Sequence, residues 1–179
     1  MMRKTLSLVA AAGLVAVSAA GAQKGSTPMF GLGYTDVGPT VGLGGLNGAS
    51  ASFGGRLEHA IKALPDMGNG MLGIQLAAEY YSWSNIGSSF KYIPLGATAN
   101  YHFNVQSQPK LDPFLGLGLG YDIVTCNVQG FGNCGGFSSG LYFIGRAGAR
   151  YFFAPNMAGY ADVGAGGATL NIGLMFKLH

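Results

Sequence analysis

The sequence predicts an all-β fold, a transmembrane antiparallel up-and-down β-barrel of eight strands. Three observations carry that prediction. After residue 22 the chain alternates apolar residues with small or polar ones in about eight short segments, the period of a strand whose successive side chains point to opposite faces. Charged residues are 9% of the chain, against about 25% in soluble proteins; a lipid-facing charge costs up to ~2–4 kcal/mol at the bilayer midplane, so a barrel in lipid needs this economy. No stretch after residue 22 is continuously apolar for long enough to be a spanning helix. The 12% aromatic content and the apolar periodicity exclude disorder.

The segments follow in order. Strand one is read at 29–41, with Phe30, Leu32 and Tyr34 on one face. Strand two, 49–63, sets Ala51, Phe53, Leu57 and Ile61 against Ser50, Ser52, Arg56 and Glu58. Strand three, 71–83, turns Leu72, Ile74, Leu76, Ala78 and Tyr80 outward and Gln75 and Glu79 inward. Strand four, 90–103, opposes Ile93, Leu95, Ala97, Ala99, Tyr101 and Phe103 to Thr98, Asn100 and His102. Strand five, 111–125, alternates Leu115, Leu117, Leu119, Tyr121 and Ile123 with three glycines and Asp122. Strand six, 141–153, puts Arg146 and Arg150 inside, and strand seven, 157–164, does so with Tyr160 and Asp162. Strand eight, 170–179, alternates Leu170, Ile172, Leu174, Phe176 and Leu178 with Asn171, Gly173, Met175, Lys177 and His179.

Breakers separate these runs at 65–70, 108–110 and 154–156, where proline, glycine and asparagine concentrate. An even strand count puts these turns at the periplasmic end and leaves 38–48, 84–89, 126–139 and 165–167 as cell-facing loops. Aromatics near strand ends (Tyr80, Tyr81 and Trp83; Tyr101 and Phe103; Tyr151, Phe152 and Phe153) are expected to form two interfacial girdles.

Residues 1–22 read as a cleaved secretory signal: Arg3 and Lys4, an apolar run from Leu6 to Val17, and a small-x-small end at Ala20 and Ala22. The remaining 23–179 form one domain. Without Arg3 and Lys4, eight basic residues face seven acidic ones. The working protein is close to neutral, which argues against a nucleic-acid partner.

Alternation places Arg56, Arg146, Arg150 and Lys177 inside with Glu58, Glu79, Asp122 and Asp162. An eight-stranded barrel is just wide enough for side chains to fill. Charges buried there need partners, so an internal ion-pair network is expected in place of a water channel.

The signal, the alternating strands, the run LGLGLGYD at 115–122 and the terminal strand together resemble the small outer-membrane barrels of the OmpA/OmpX type. Such barrels often end in an aromatic residue, whereas this chain ends Phe176-Lys177-Leu178-His179. The resemblance implies a site in the bacterial outer membrane, contact with outer-membrane lipid, and insertion by barrel-assembly machinery. It leaves a non-enzymatic structural or surface-interaction role, with an unidentified surface ligand, ahead of a small porin-like pore or a lipid-modifying enzyme. No peptidoglycan-binding domain is expected after strand eight.

Motifs for chemistry are sparse. Cys126 and Cys134, in the longest glycine-rich loop, are expected to form a disulfide in an exported protein. Two cysteines without nearby histidines do not make a zinc site. Residues 136–140 match G-x-S-x-G, but that motif needs a strand-to-helix elbow and a strand follows here. His59, His102 and His179 are too scattered for a metal cluster, and His102 reads as a structural inner-wall residue. The glycines of strand five lack a following G-K-[ST] and read as room for the arginines opposite. No cofactor and no catalytic residue is expected.

Overall fold

A computed structural model describes residues 29–46, 48–85, 87–128 and 138–178. The expected signal segment, Cys134 and His179 lie outside them. Eight strands follow in chain order: β1 (Thr35–Leu43), β2 (Ala51–Leu64), β3 (Gly70–Asn85), β4 (Ser88–His102), β5 (Leu111–Val128), β6 (Gly140–Ala154), β7 (Met157–Ala165) and β8 (Leu170–Lys177). Each pairs antiparallel with its neighbours, and β8 closes on β1, giving an up-and-down barrel without a free edge.

The alternation works as the sequence implies. Leu57, Leu76, Leu95, Leu117, Leu119, Phe143, Ile172 and Leu174 are exposed around the outer wall, while Arg56, Glu58, Gln75, Glu79, Asn100 and Arg150 are buried within. An apolar exterior over a polar interior reverses the arrangement of a soluble barrel and fits a lipid-facing wall. The strand-five glycines make room for neighbours other than the expected arginines: a Cβ on Gly118 would collide with the carbonyl oxygen of Ala97 on β4, one on Gly116 with the Asn100 side chain and one on Gly120 with the Tyr142 ring.

Several expectations about boundaries are corrected. Strand one begins at Thr35, so residues 29–34 are not strand; they fold into the barrel mouth, with Phe30 and Tyr34 buried. Gly33, at φ +79°, permits that turn. The expected 84–89 loop is mostly strand, because Asn85 pairs with Ser88 and only residues 86–87 connect them. Likewise 38–43 belongs to β1, leaving 44–50 as that connection, and Cys126, expected in the 126–139 loop, lies on β5, which runs to Val128.

The aromatic girdles are also only partly realised. Tyr80, Phe103, Tyr151 and Phe153 face outward, but Phe152, Tyr81 and Trp83 turn inward. The reason lies in strand length. Strands β3, β4 and β5 span 16, 15 and 18 residues, against 9 for β1 and β7 and 8 for β8. Their far ends project past the apolar wall, and there the outer face becomes polar, through Ser82, Ser84, Lys91, Thr125 and Asn127. The inward face of the projection carries Tyr81, Trp83, Phe90 and Tyr92. Leu46 from the β1–β2 connection and Ala168 from the β7–β8 connection pack against them.

Candidate functional site

Three layers fill the barrel between its ends. The loop end holds the aromatic stack, with ring centroids of Tyr81 and Tyr92 5.0 Å apart and those of Trp83 and Phe90 4.8 Å apart.

The middle layer is built on Arg56 and Arg146. Arg56 of β2 bonds Glu79 of β3 at 3.3 Å, Asp162 of β7 at 2.9 Å, and the Tyr160 hydroxyl at 2.7 Å. Arg146 of β6 donates Nε to Asp162 at 2.5 Å and Nη1 to the Ala168 carbonyl at 2.8 Å. Asn171 donates to Asp162 at 3.0 Å and Ser52 to Glu79 at 2.8 Å. Asp162 therefore serves two guanidinium groups, Arg56 through Oδ2 and Arg146 through Oδ1.

The layer nearer the chain termini centres on Arg150 and His102. Arg150 pairs with Glu58, with Asp36 at 3.3 Å and with Asp112 at 3.7 Å. The His102 ring lies between two carboxylates, Nε2 being 2.8 Å from Glu58 and Nδ1 2.9 Å from Asp112. Asn100 donates to Glu58 at 2.9 Å. Gln75, with its amide oriented to satisfy both neighbours, donates to Glu58 at 3.2 Å and accepts from Arg56 at 2.8 Å, so it couples the two layers.

Phe30 closes this end. Its ring stacks on His102 with centroids 3.9 Å apart, and the Arg150 guanidinium carbon lies 4.6 Å from its centroid. Tyr34 packs beside it at 5.1 Å and meets Phe152 edge-on. The segment is tied in by hydrogen bonds from Gly33 N to Ala60 O and from Ala60 N to Tyr34 O.

Of the eight residues expected inside, Arg56, Glu58, Glu79, Arg146, Arg150 and Asp162 meet in these layers. Lys177 and Asp122 do not. Lys177 has the inward register but stands at the last position of β8, exposed, with its ammonium 5.4 Å from the Tyr34 ring centroid. Asp122 lies in the part of β5 approaching the loop end, is only partly buried, and joins none of the ion pairs among the described residues. Asp36, Asp112 and His102 take part in their place. Continuing the β5 alternation back to Asp112, and that of β1 from Tyr34 to Asp36, was the signal for the two carboxylates.

The interior leaves little space. A cavity of about 20 Å³ remains beside Arg56, Glu79, Tyr142 and Arg146, the size of about one water molecule. Among the described residues no three histidine, cysteine or carboxylate side chains are placed to hold a metal ion. Gly140 of the G-x-S-x-G string opens strand β6, and the Ser139 hydroxyl accepts a hydrogen bond from Val124 N at 3.0 Å. Cys126 lies on β5, and its expected partner is outside the described residues.

No protein-family profile matches the chain, and no curated protein matches it in sequence. Solved structures do match its fold. The outer-membrane protein OprG from Pseudomonas aeruginosa aligns at a TM-score of 0.60 with 14% identity, covering 83% of this chain and 97% of that one. The N-terminal β-barrel domain of OprF from the same organism gives 0.53 with 15% identity, over 82% and 98%. Ail, the attachment invasion locus protein of Yersinia pestis, gives 0.51 with 13% identity, over 80% and 93%, and has also been solved with the heparin analogue sucrose octasulfate. The chain thus has the closed eight-stranded fold of small outer-membrane barrels, as the resemblance to the OmpA/OmpX type implied.

Proposed function

We propose that this chain is a non-enzymatic barrel of the bacterial outer membrane, with a structural or surface-interaction role and no open pore. The observation carrying the reading is the interior itself: three arginines and His102 are interlocked with five carboxylates over most of the barrel, and Phe30 fills one mouth. Charges buried in this way stay paired, because an isolated one costs several kcal/mol to desolvate. A lumen lined by interlocked side chains holds no continuous water file.

In this reading residues 1–22 are a signal peptide removed on export, and assembly machinery inserts the barrel. The turns at 65–69, 103–110 and 155–156 face the periplasm. The connections at 44–50, 86–87, 129–139 and 166–169 face outward, and a Cys126–Cys134 disulfide staples the longest of them. Any surface ligand meets that end.

Conductance of the purified protein in a planar bilayer is the test. The expected result is insertion, shown by heat-modifiable gel migration, with no unitary conductance. Stable single-channel steps in wild-type protein would overturn the closed-barrel reading in favour of a small pore.

A further inference from the structure

The two ends of the barrel differ in charge. The four connections at the loop end, 44–50, 86–87, 129–139 and 166–169, contain no acidic or basic residue. On the outer wall near them, Lys91 is the one charged side chain among the described residues. Among the described residues the opposite end carries Lys62, Lys110 and Lys177, all exposed, against a single exposed carboxylate, Asp66. None of the three lysines joins an ion pair among the described residues.

Their placement is specific. Each stands at the terminal-end limit of its strand: Lys62 near the end of β2, Lys110 just before β5, and Lys177 as the last residue of β8. In barrel order they are spread around the rim, not gathered into one pocket; Lys177 has the inward register, its ammonium 5.4 Å from the Tyr34 ring centroid, and is exposed at the rim because β8 ends there. Arg56, Glu58 and Ala60 point inward, so uninterrupted alternation would carry Lys62 into the interior. A register shift at Ile61 instead pairs Lys62 with Leu72, an outer-wall position. A bulge re-aims a side chain in this way, and here it takes a lysine from the filled lumen to the edge of the apolar wall. An ammonium at that edge keeps its stem against apolar surface and its head at headgroup level.

From this we infer that the terminal-end rim binds phosphate-bearing anionic phospholipid headgroups, through Lys62, Lys110 and Lys177, in the leaflet on that side. The loop end is built for an uncharged surface. The inference rests on the membrane-barrel reading above. A dispersed ring of cations matches a plane of headgroups, each lysine meeting a separate phosphate, where a single soluble anion would need convergent donors.

The test reconstitutes the protein in phosphatidylcholine bilayers and measures association of spin-labelled phosphatidylglycerol against spin-labelled phosphatidylcholine. The wild type is expected to prefer the anionic lipid by about fivefold, the order expected for lysines at a charged surface, and to lose that preference in high salt. The triple variant Lys62→Gln, Lys110→Gln, Lys177→Gln should lose the preference, the matching triple change to arginine should keep it, and Lys91→Gln should leave it unaltered. Insertion without any lipid preference, or a preference abolished by Lys91→Gln alone, overturns the inference and leaves the barrel reading standing. Failure of the wild type to insert overturns both. If the glutamine triple fails to insert, the three single glutamine variants decide: each must lower the preference, and an unchanged preference in all three overturns the inference.

Discussion

Phe30, outside any strand, stacks on His102 of β4 at 3.9 Å while Arg150 of β6 covers it at 4.6 Å. One apolar ring thus shields the buried His102–Glu58–Asp112–Arg150 cluster from the terminal mouth. Removing it should cost about 3–5 kcal/mol, the range for a buried phenylalanine cut to alanine. Urea unfolding in lipid vesicles checks this. Phe30→Leu keeps apolar volume but loses the ring contacts, so it should fall between wild type and Phe30→Ala. Equal stability of Phe30→Leu and wild type would show that volume alone matters.

Arg150 holds three carboxylates contributed by β1, β2 and β5. Arg150→Met leaves them without their shared cation, and the expected loss is about 3–5 kcal/mol, as for other broken buried pairs. Arg146→Ala should lose a comparable amount by leaving Asp162 half served. Because Glu58 and Arg150 share one network, the double change Arg150→Met with Glu58→Gln should cost less than the two single costs added. Additive costs would mean that the pair is not energetically coupled.

Gly118 and Gly159 make a matched pair of controls. A methyl group at Gly118 meets the Ala97 carbonyl, whereas at Gly159 it meets nothing within 4 Å. Gly118→Ala should destabilise the barrel by about 1–3 kcal/mol, the usual cost of overpacking, and Gly159→Ala should be neutral within measurement. The same unfolding experiment reads both, and the reverse order would contradict the inter-strand geometry.

Most of the architecture was legible because a strand's period is two and one face is apolar. That rule placed Arg56, Glu58, Glu79, Arg146, Arg150 and Asp162 inside without any knowledge of their partners. It failed where the local rule changes. Phe30 and Tyr34 kept the alternation but left the strand, so a plug looked like the start of β1. Tyr81 and Trp83 looked like girdle residues because aromatic strand ends are common at interfaces, yet in the projecting part of β3 the apolar face is the inner one. Lys177 obeyed its register, but burial ends with the strand. The bulge at Ile61 has no marker such as glycine or proline beside it. Partner choice, such as the bridging of β2 and β5 by His102, depends on barrel closure and is not written in any single strand.

The expected Cys126–Cys134 bridge closes a short, glycine-rich span. By loop-closure scaling such a bridge contributes roughly 2–3 kcal/mol, felt as local order because the wall and interior hold the barrel. Changing both cysteines to serine should leave insertion intact and increase protease cutting between residues 126 and 134. A serine variant that fails to insert would assign the cysteines to assembly.

Trp83 is the only tryptophan in the chain, which makes it a reporter for the inward turn of the projecting strands. Its ring lies 5.0 Å from that of Tyr92 and 4.8 Å from that of Phe90, on the same face as the buried Tyr81. The outer face at this level carries Ser82, Ser84 and Lys91. A girdle tryptophan would sit among lipid chains near the interface and be quenched by brominated acyl chains. Trp83 should instead show weak quenching by lipids brominated at any depth, because its own strand wall separates it from them. Moving the indole to the outer wall, with Trp83→Phe and Tyr80→Trp, should restore strong quenching. Strong quenching of wild-type Trp83 would mean that β3 keeps its apolar face outward to its end, and the aromatic stack at the loop end would then be wrong.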